Sequence, residues 1–532
     1  MPASKVRRDI GLISLTMTGL GGIIGSGWLF GAWHTAQLAG PGAVWAWVIG
    51  AAFIAIVATV FCELGAMFSE TGGMVRYGYY SHGSLVGFVA GWANWISIAS
   101  AVPVEAEASS QYVASWPYPW AHALYNGHEL SPTGLALAAV LVVVYFLLNY
   151  WGVQLYAKTN AGITAFKLVI PALTGVALII AGFHKANFGV GLHPGKAAMN
   201  LPAIFGAVTT SGIVFSFNGF QGPINLAGEA KNPSRNVPIA VLSSIAIATV
   251  VYILLQVAFV GATPPGDLKQ GWSAVNFSSP FAQLALALNL NWLALLLYAD
   301  AFVSPSGTGM TYTATTARMV YAMEKSGSLP KIFGHIHTAS GIPRPAMWLN
   351  LCVSFLFLFF LRGWGSLAAV ISVATIISYQ IGPICVGALR RVAPEMKRPL
   401  RTPVIQVFAP VAFTLCTLLL YWARWPLTGE VIALVIVAAP IYAWAEWRHG
   451  WKDFGRHLRG AWWLIAYLPC MALVSALGSH EFGGAGLIPY GVDLAVVAVM
   501  GLGFYLWGER SGWRTPAIEL HEQGADDNTE LY

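Results

Sequence analysis

Residues 21–27 read Gly-Gly-Ile-Ile-Gly-Ser-Gly and lie near the middle of an apolar run, residues 9–36, that is long enough to cross a bilayer. Five of these seven residues weaken a helix, because four are glycine and one is serine. The helix can therefore unwind there at little cost. Irregular backbone at that depth persists only where it is buried in protein or lines a cavity. The stretch predicts a membrane helix that is broken in its middle.

The rest of the chain repeats the membrane-helix pattern. Of its 532 residues, 57% are hydrophobic and 9% are charged, against about 25% charged in an ordinary soluble domain. The sequence therefore predicts an all-α integral membrane protein with about fourteen transmembrane helices. Apolar runs bounded by glycine, proline and charge give these spans, numbered 1 to 14 in chain order: 9–36, 41–67, 84–114, 131–151, 159–183, 202–230, 237–262, 286–320, 345–363, 365–389, 404–423, 428–447, 461–479 and 487–508.

Lysine and arginine are distributed unevenly among the predicted loops. With the N-terminus inside, 22 of the 28 lie in cytoplasmic segments, five lie in outer segments and Lys167 lies within a span. Cytoplasmic loops of membrane proteins carry the excess of positive charge. The asymmetry predicts a multi-pass protein of a cytoplasmic or inner membrane, with both termini in the cytoplasm. The lipid bilayer, and not nucleic acid, is the partner expected for this positive charge.

A second weak stretch, residues 215–223, reads Phe-Ser-Phe-Asn-Gly-Phe-Gln-Gly-Pro and falls five spans later, in span 6. It combines glycine and asparagine with a proline that lacks a backbone donor. A single glycine in a membrane helix is often only a packing notch. If spans 1–5 and spans 6–10 are two repeats, however, the two interruptions occupy equivalent positions. Paired interruptions of this kind indicate the binding site of a transporter.

Several short motifs together carry a family resemblance. They are Gly25-Ser26-Gly27, Glu63 with Gly72-Gly73, Gly91-Trp92, Gly228-Glu229-Ala230-Lys231-Asn232-Pro233 with Arg235 and Pro238, and Arg318 leading to Gly327-Ser328-Leu329-Pro330. With these motifs the chain resembles the amino acid/polyamine/organocation permeases over spans 1–10. Its additional C-terminal spans make it look most like the bacterial branch that includes aspartate/proton symporters.

The resemblance implies a ten-helix, leucine-transporter-like core of five-plus-five inverted repeats. This core would cover residues 1–391, with repeats at about 9–183 and 202–391. Four additional spans would follow in residues 392–513. The polar, acidic residues 514–532 predict a disordered cytoplasmic tail.

The family binds a free amino acid at the breaks of spans 1 and 6, and the residues present here agree with that expectation. A half-helix that begins after the first break presents unpaired backbone amides and a positive dipole end, which suits an α-carboxylate. These amides belong to Gly25, Ser26 and Gly27. Carbonyl oxygens freed at the breaks would accept from an α-ammonium, and they belong to Ile23, Phe215 and Asn218. Gly219 and Gln221 complete the predicted substrate site. Phe215 matches an aromatic gate position of the family, with simple packing as its alternative role.

Lys167 of span 5 is the one lysine or arginine predicted deep in the hydrocarbon. An ionisable side chain at that depth is costly and by default functional. In proton-coupled relatives a lysine at this place lies near the span 1 break, and Ser304 and Thr308 of span 8 match the region that would face it. Lys167 is therefore the predicted proton-coupling residue. The alternative is a lysine that extends to the membrane surface.

Three further residues bear on proton coupling. Many relatives have a glutamate shortly after the glycine of the span 6 break, whereas this chain has Gln221, a neutral amide that takes up no proton. Coupling then either shifts towards Lys167 or is lost. Glu105 and Glu107 of span 3 are two residues apart and cannot share one helical face, so only one of them is expected to face the pathway.

These features predict a secondary transporter and not an enzyme. The sequence has no nucleotide-binding loop, which argues against ATP-driven transport, and no cofactor or metal is expected. We expect an amino acid/proton symporter that works by alternating access and is driven by the proton gradient. An acidic substrate such as aspartate follows from the branch resemblance alone. An amino acid exchanger of the same fold is the alternative, and a membrane enzyme or channel is a distant one.

Overall fold

Membrane-length helices account for most of the structure, a computed structural model that describes residues 10–68, 73–127, 129–151, 155–337 and 341–523. Spans 2–5, 7–11, 13 and 14 are single helices, whose bounds in chain order are Ala43–Met67, Ser84–Val113, Pro132–Tyr150, Leu155–Ala181, Pro233–Ala262, Asn291–Lys325, Arg344–Phe360, Trp364–Val392, Ile405–Trp422, Phe454–Leu477 and Val492–Ser511. Span 12 consists of two consecutive helices, Leu427–Ile436 and Ala439–Arg448. The predicted all-α architecture is confirmed.

Length and hydropathy account for most of the spans. Within the described ranges, ten helical stretches are long and apolar enough to cross a membrane. One of them, Gly27–Met67, contains the second half of span 1 and all of span 2, joined by a turn at Gly40–Gly42. The first helices of spans 1 and 6 are shorter because they end at the breaks, and span 9 has only 17 residues. Span 8 is long but rich in polar side chains.

Span 3 lies at the centre of the bundle and packs along both span 8 and span 10. Span 10 is buried along the whole of its most apolar stretch, whereas only 28% of the corresponding stretch is buried in spans 4 and 14. Exposed apolar surface on a membrane helix is surface for lipid. The polar side chains near the middle of spans 3, 8 and 10, among them Glu105, Ser304 and Thr375, lie in the interior of the protein.

The prediction that residues 514–532 are disordered is wrong for the first part of that segment. Helix Pro516–Glu522 follows span 14, and Ile518 within it is fully buried. The hydroxyl of Thr515 donates to the carbonyl oxygen of Tyr80 at 2.8 Å. The prediction followed the acidic composition of the segment, but its few apolar residues are enough to pack two turns of helix against the bundle. The rest of the segment lies outside the described residues.

Main-chain carbonyl oxygens tie span 14 to the helices around it. The Nη2 atom of Arg391, in span 10, donates to the carbonyl oxygens of Glu509 at 3.2 Å, Arg510 at 3.0 Å and Gly512 at 2.6 Å. The Nε2 atom of His82 lies 2.8 Å from the carbonyl oxygen of Gly508. The C-terminal end of span 14 is thus held to span 10 and to His82.

A buried carboxylate joins span 2 to span 10. Arg390 donates from Nε and Nη2 to the two carboxylate oxygens of Glu63, at 2.8 and 2.7 Å. The amide of Thr402 donates to the same carboxylate at 2.8 Å. Glu63 is fully buried, so its charge depends on these donors for compensation.

Replacing Glu63 with alanine is expected to lower the free energy of unfolding by about 3–5 kcal/mol, because the Arg390 guanidinium would remain largely buried without its carboxylate. The matched control is Glu522→Ala, since Glu522 pairs with Arg514 at 2.5 Å on the exposed surface. That control is expected to cost less than about 1 kcal/mol. Thermal unfolding midpoints of the purified variants in detergent compare the two losses, and equal midpoints would contradict the structural role of Glu63.

Candidate substrate and proton site

Span 1 breaks where the sequence predicts. Its first helix, Leu12–Ile23, is separated from its second helix, Gly27–Ala39. Between them Ile24 has an extended backbone with φ −85° and ψ 90°, and the amide of Gly25 donates to the carbonyl oxygen of Ile23 at 3.1 Å. A break leaves main-chain groups of both half-helices without helical partners, so other groups have to supply them.

Glu105 of span 3 supplies one of these partners. Its Oε2 atom accepts the N–H of Ser26 at 2.8 Å. A Cβ placed on Gly25 would lie 2.6 Å from the Oε1 atom, so the carboxylate lies directly against the break. A carboxylate at the start of a helix is favoured by the helix dipole. The position predicted for a substrate carboxylate is thus held here by a carboxylate of the protein.

Lys167 of span 5 reaches the same break. Its Nζ atom donates to the carbonyl oxygen of Gly21 at 2.9 Å and to the hydroxyl of Thr308 at 2.8 Å. Lys167 is 1% exposed, which excludes a side chain that extends to the membrane surface. A Cβ placed on Gly25 would lie 3.1 Å from the Thr308 hydroxyl oxygen. The ammonium of Lys167, through Thr308, and the carboxylate of Glu105 therefore flank the same glycine.

Ser304 lies one helical turn before Thr308 and bonds a different group. Its hydroxyl oxygen lies 2.8 Å from both carboxylate oxygens of Asp300, and it donates its one hydrogen to this carboxylate. Asp300, Ser304 and Thr308 follow one another at four-residue spacing, so they share one face of span 8. All three are buried. The face forms a polar ladder that leads from Asp300 towards Lys167.

Span 6 is divided into three short helices, Leu201–Thr210, Ile213–Ser216 and Gly222–Asn225. Gly212 has φ 89° and Gly219 has φ 110°, a region that glycine adopts without steric cost. The interruption begins before the stretch that the sequence singled out, because Gly212 already leaves the helical conformation.

The two breaks lie against each other. A Cβ placed on Gly22 would lie 3.0 Å from the α-carbon of Gly219. The hydroxyl of Tyr252, in span 7, lies 3.1 Å from the carbonyl oxygen of Ile23 and 3.0 Å from that of Ser216. One tyrosine therefore bridges both breaks, which together form a single site.

Gln221 stabilises the span 6 break. Its Oε1 atom accepts the N–H of Gly219 at 2.8 Å, and its Nε2 atom donates to the hydroxyl of Tyr379 at 2.7 Å. That hydroxyl donates to Oδ1 of Asn218 at 3.0 Å, and Nδ2 of Asn218 donates to the hydroxyl of Thr375 at 3.2 Å. The side-chain amide of Gln221 therefore both accepts and donates a hydrogen bond here, and it does so without taking up or releasing a proton.

Phe215 belongs to an aromatic layer on the site. Its ring centroid lies 5.8 Å from that of Trp364 at an interplanar angle of 68°, and its amide donates to the hydroxyl of Ser372 at 3.3 Å. Trp364 also stacks on Phe30 with a centroid distance of 5.4 Å and donates from Nε1 to the Ser26 hydroxyl at 2.8 Å. The layer links span 10 to both breaks.

The predicted site is closed in this structure. Every predicted substrate or proton residue is buried apart from Gly219, which is half-buried. Two of the carbonyl oxygens expected to bind an α-ammonium already accept hydrogen bonds, since Ile23 accepts from Tyr252 and Phe215 accepts from the amide of Asn218 at 2.9 Å. A substrate can enter only if some of these contacts open.

Sequence reasoning missed the contributions of spans 7 and 10. Ser372, Thr375 and Tyr379 lie three and four residues apart, so a polar stripe along apolar span 10 was the available signal. Tyr252 is a lone tyrosine in an apolar helix and gave no signal.

The spacing of the two span 3 glutamates did predict that they separate. Glu105 faces the break, whereas Oε2 of Glu107 accepts the N–H of Gly363 at 2.9 Å, at the start of span 10. The sequence could not tell which of the two faces the site.

A bundle of membrane-length helices, two of which are broken against each other beside a buried lysine, defines a multi-pass transporter. Comparison with known proteins agrees with this class. The family of amino acid permeases matches residues 10–445. Because this match covers more than half of the chain, the chain belongs to the amino acid permease family.

Similar proteins extend over nearly the whole chain. It is 54% identical to the glutamate/serine transporter AimA of Bacillus subtilis (strain 168), over 97% of this chain and 96% of that protein. It is 36% identical to the aspartate-proton symporter of the same organism, over 96% of this chain and 98% of that protein. The branched-chain amino acid permease BcaP of that organism is 22% identical over 82% of this chain and 93% of its own length. The chain is therefore an amino acid transporter and not an enzyme.

Proposed function

We propose that the chain imports a free amino acid together with a proton, by alternating access around the joined breaks of spans 1 and 6. The observation that carries the proposal is the position of Lys167, whose ammonium bonds to the carbonyl oxygen of Gly21 and to Thr308. Loss of the Lys167 proton would remove a positive charge and a donor from the break. The protonation state of this side chain can therefore bias the balance between conformations of span 1.

The substrate is proposed to bridge the two breaks. Its carboxylate would bind the amides of Gly25, Ser26 and Gly27, which begin the second half of span 1. Its ammonium would bind carbonyl oxygens at Ile23, Phe215 and Asn218 after their present partners move. Phe215 would then lie over the substrate, where its contact with Trp364 allows it to act as a gate.

We further propose that acidic amino acids and serine are among the substrates. One relative is named as a glutamate/serine transporter and another as an aspartate-proton symporter. Lys167 supplies positive charge beside the first break, and the carboxylates of Glu105 and Asp300 share it. An additional carboxylate therefore needs a proton as well as Lys167 for compensation, and proton symport can supply it.

The proposed arrangement in the membrane has both termini in the cytoplasm and two inverted repeats, about 9–183 and 202–391. The lysine and arginine distribution supports the orientation. Cysteines introduced singly at Lys269 and Lys397, in a background without the five native cysteines, test it. A reagent that does not cross the cytoplasmic membrane of intact cells should label position 269 and not position 397, and the reverse pattern would contradict the orientation.

Uptake into proteoliposomes tests the transport proposal. A panel of radiolabelled amino acids is supplied with and without an inward proton gradient. We expect the gradient to accelerate uptake of serine, glutamate or aspartate. If uptake ignores the gradient and instead requires an amino acid inside the vesicles, the protein is an exchanger.

Changing Gln221 to glutamate is expected to make uptake more dependent on pH. The new carboxyl group can still accept from the Gly219 amide. It can donate to the Tyr379 hydroxyl, as Nε2 of Gln221 does, only when it is protonated, so the variant adds a group that titrates at the break. Gln221→Leu is the control without a titrating group, and loss of its two hydrogen bonds, at about 1 kcal/mol each, should slow uptake roughly thirtyfold. Rates measured from pH 5 to pH 8, as a series of about six values, compare the variants. A Gln221→Glu profile with the parent's shape would contradict the expectation.

A further inference from the structure

Glu105 is a buried carboxylate that the proposed symport does not use. Its Oε2 atom holds the Ser26 amide at 2.8 Å, while Oε1 accepts no hydrogen bond from any described residue. Its side chain is fully buried. A carboxylate oxygen left without a donor in such a site is costly. It points against Gly25, where the substrate is proposed to bind.

A substrate carboxylate and Glu105 compete for the same amide. The Ser26 N–H is one of three main-chain donors at the start of the second half of span 1, and it makes its hydrogen bond to Glu105 in the closed site. A substrate carboxylate that takes this donor has to displace Glu105. The displaced side chain remains beside the break, because span 3 packs along its whole length inside the bundle.

The net charge of the substrate determines whether the displaced Glu105 carboxylate is compensated. Serine is a zwitterion, so its ammonium can compensate Glu105 while its carboxylate takes the Ser26 amide. Glutamate and aspartate bring one further negative charge into the same buried space, where the single ammonium of Lys167 already faces the carboxylates of Glu105 and Asp300. Uncompensated charge in the interior costs several kcal/mol, and a proton taken up by a carboxyl group removes it.

We propose that Glu105 occupies the substrate's carboxylate position in the empty site and takes up a proton when an acidic amino acid displaces it, but not when serine does. The proton comes from solution and binds a carboxylate oxygen of Glu105, which then is neutral. No other bond is made or broken. This inference rests on the proposed function, because it assumes that the substrate binds at the joined breaks.

Other charged or titratable groups share this region and have to be separated from Glu105. They are Lys167 of span 5, Asp300 and Tyr312 of span 8, Tyr145 of span 4 and Tyr252 of span 7. Asp300 is the other carboxylate among them, and it already accepts from Ser304. It is therefore the matched control for Glu105.

Proton uptake on binding tests the inference without requiring transport. Heats of binding of L-serine, L-glutamate and L-aspartate to the purified protein are measured at one pH in buffers of different ionisation enthalpy, which gives the number of protons bound with each ligand. We expect the parent to bind about one proton more with glutamate or aspartate than with serine. In Glu105→Gln, which keeps the shape and an acceptor for Ser26, this difference should vanish. In Asp300→Asn it should remain.

Each other outcome has a definite meaning. Equal proton uptake with all three ligands in the parent overturns the inference and leaves the proposed function standing. A difference that persists in Glu105→Gln, or disappears in Asp300→Asn, assigns the proton elsewhere and also overturns it. If the parent binds none of the three ligands, the proposed function fails together with the inference. Circular dichroism and thermal midpoints show that each variant is folded before it is compared.

Discussion

Proteoliposomes with the Lys167→Ala variant are expected to take up amino acid at the same rate with and without an inward proton gradient. The substitution removes the ammonium that bonds to the carbonyl oxygen of Gly21 and to Thr308, and with it the group proposed to carry the proton. Hydrogen bonds from a charged donor contribute about 1.5–3 kcal/mol each. We therefore also expect the gradient-driven rate to fall at least about tenfold. Initial rates of radiolabelled serine and glutamate uptake measure both effects.

Lys269→Ala is the matched control, because it also removes a lysine, but one that is exposed in the segment between spans 7 and 8. This control should retain the parental rate and its response to the gradient. A Lys167→Ala variant that is still accelerated by the gradient would show that another group couples the proton.

Gly219→Ala is expected to abolish uptake and to lower the thermal midpoint. Gly219 has φ 110°, which an alanine adopts only with strain of about 1–3 kcal/mol. Its added methyl group would also overlap the backbone of Gly22, with the Gly22 α-carbon only 2.7 Å away. Main-chain atoms cannot relieve this overlap by a change of rotamer, as a flexible side chain could. The two breaks would therefore have to separate, and we expect a further loss of about 1–3 kcal/mol from overpacking.

Gly503→Ala is the matched control, because a Cβ at that position in span 14 would meet nothing within 4 Å. Alanine is the better helix former, so this variant should unfold at the parental temperature or slightly above it. Uptake assays and thermal unfolding in detergent are run on both variants. Parental uptake by Gly219→Ala would mean that the close contact of the breaks is not needed for transport.

The breaks could be predicted from the sequence because their causes are local. Glycine, serine, asparagine and proline destabilise a helix wherever they cluster, and the depth of the cluster follows from the length of the apolar run. The position of Lys167 was predicted for a similar reason, since a lysine about two turns into an apolar span lies deep in the hydrocarbon. Its partners in spans 1 and 8 came from the family resemblance.

The surroundings of the breaks depend on contacts between distant spans, which periodicity does not specify. Nothing local distinguishes Glu105 from Glu107, yet packing sends one to Ser26 and the other to Gly363. Tyr252 joins two breaks that lie far apart in the chain. Hydropathy likewise gave the start of span 13 as residue 461, whereas the helix begins at Phe454, because charged residues at a membrane surface do not end a helix.

The attachment of the C-terminal spans has a consequence for how freely the chain can diverge. The side chains of Arg391 and Thr515 donate hydrogen bonds to main-chain carbonyl oxygens. Trp513 donates two, from its main-chain amide to the carbonyl oxygen of Ser81 at 3.0 Å and from its indole to that of His82 at 3.0 Å. Every residue type offers the same main-chain oxygen, so Glu509 and Arg510 meet the needs of Arg391 whatever side chains they carry. Evolutionary drift should therefore be tolerated at these two positions and resisted at Arg391, Thr515 and Trp513, whose side chains are the donors.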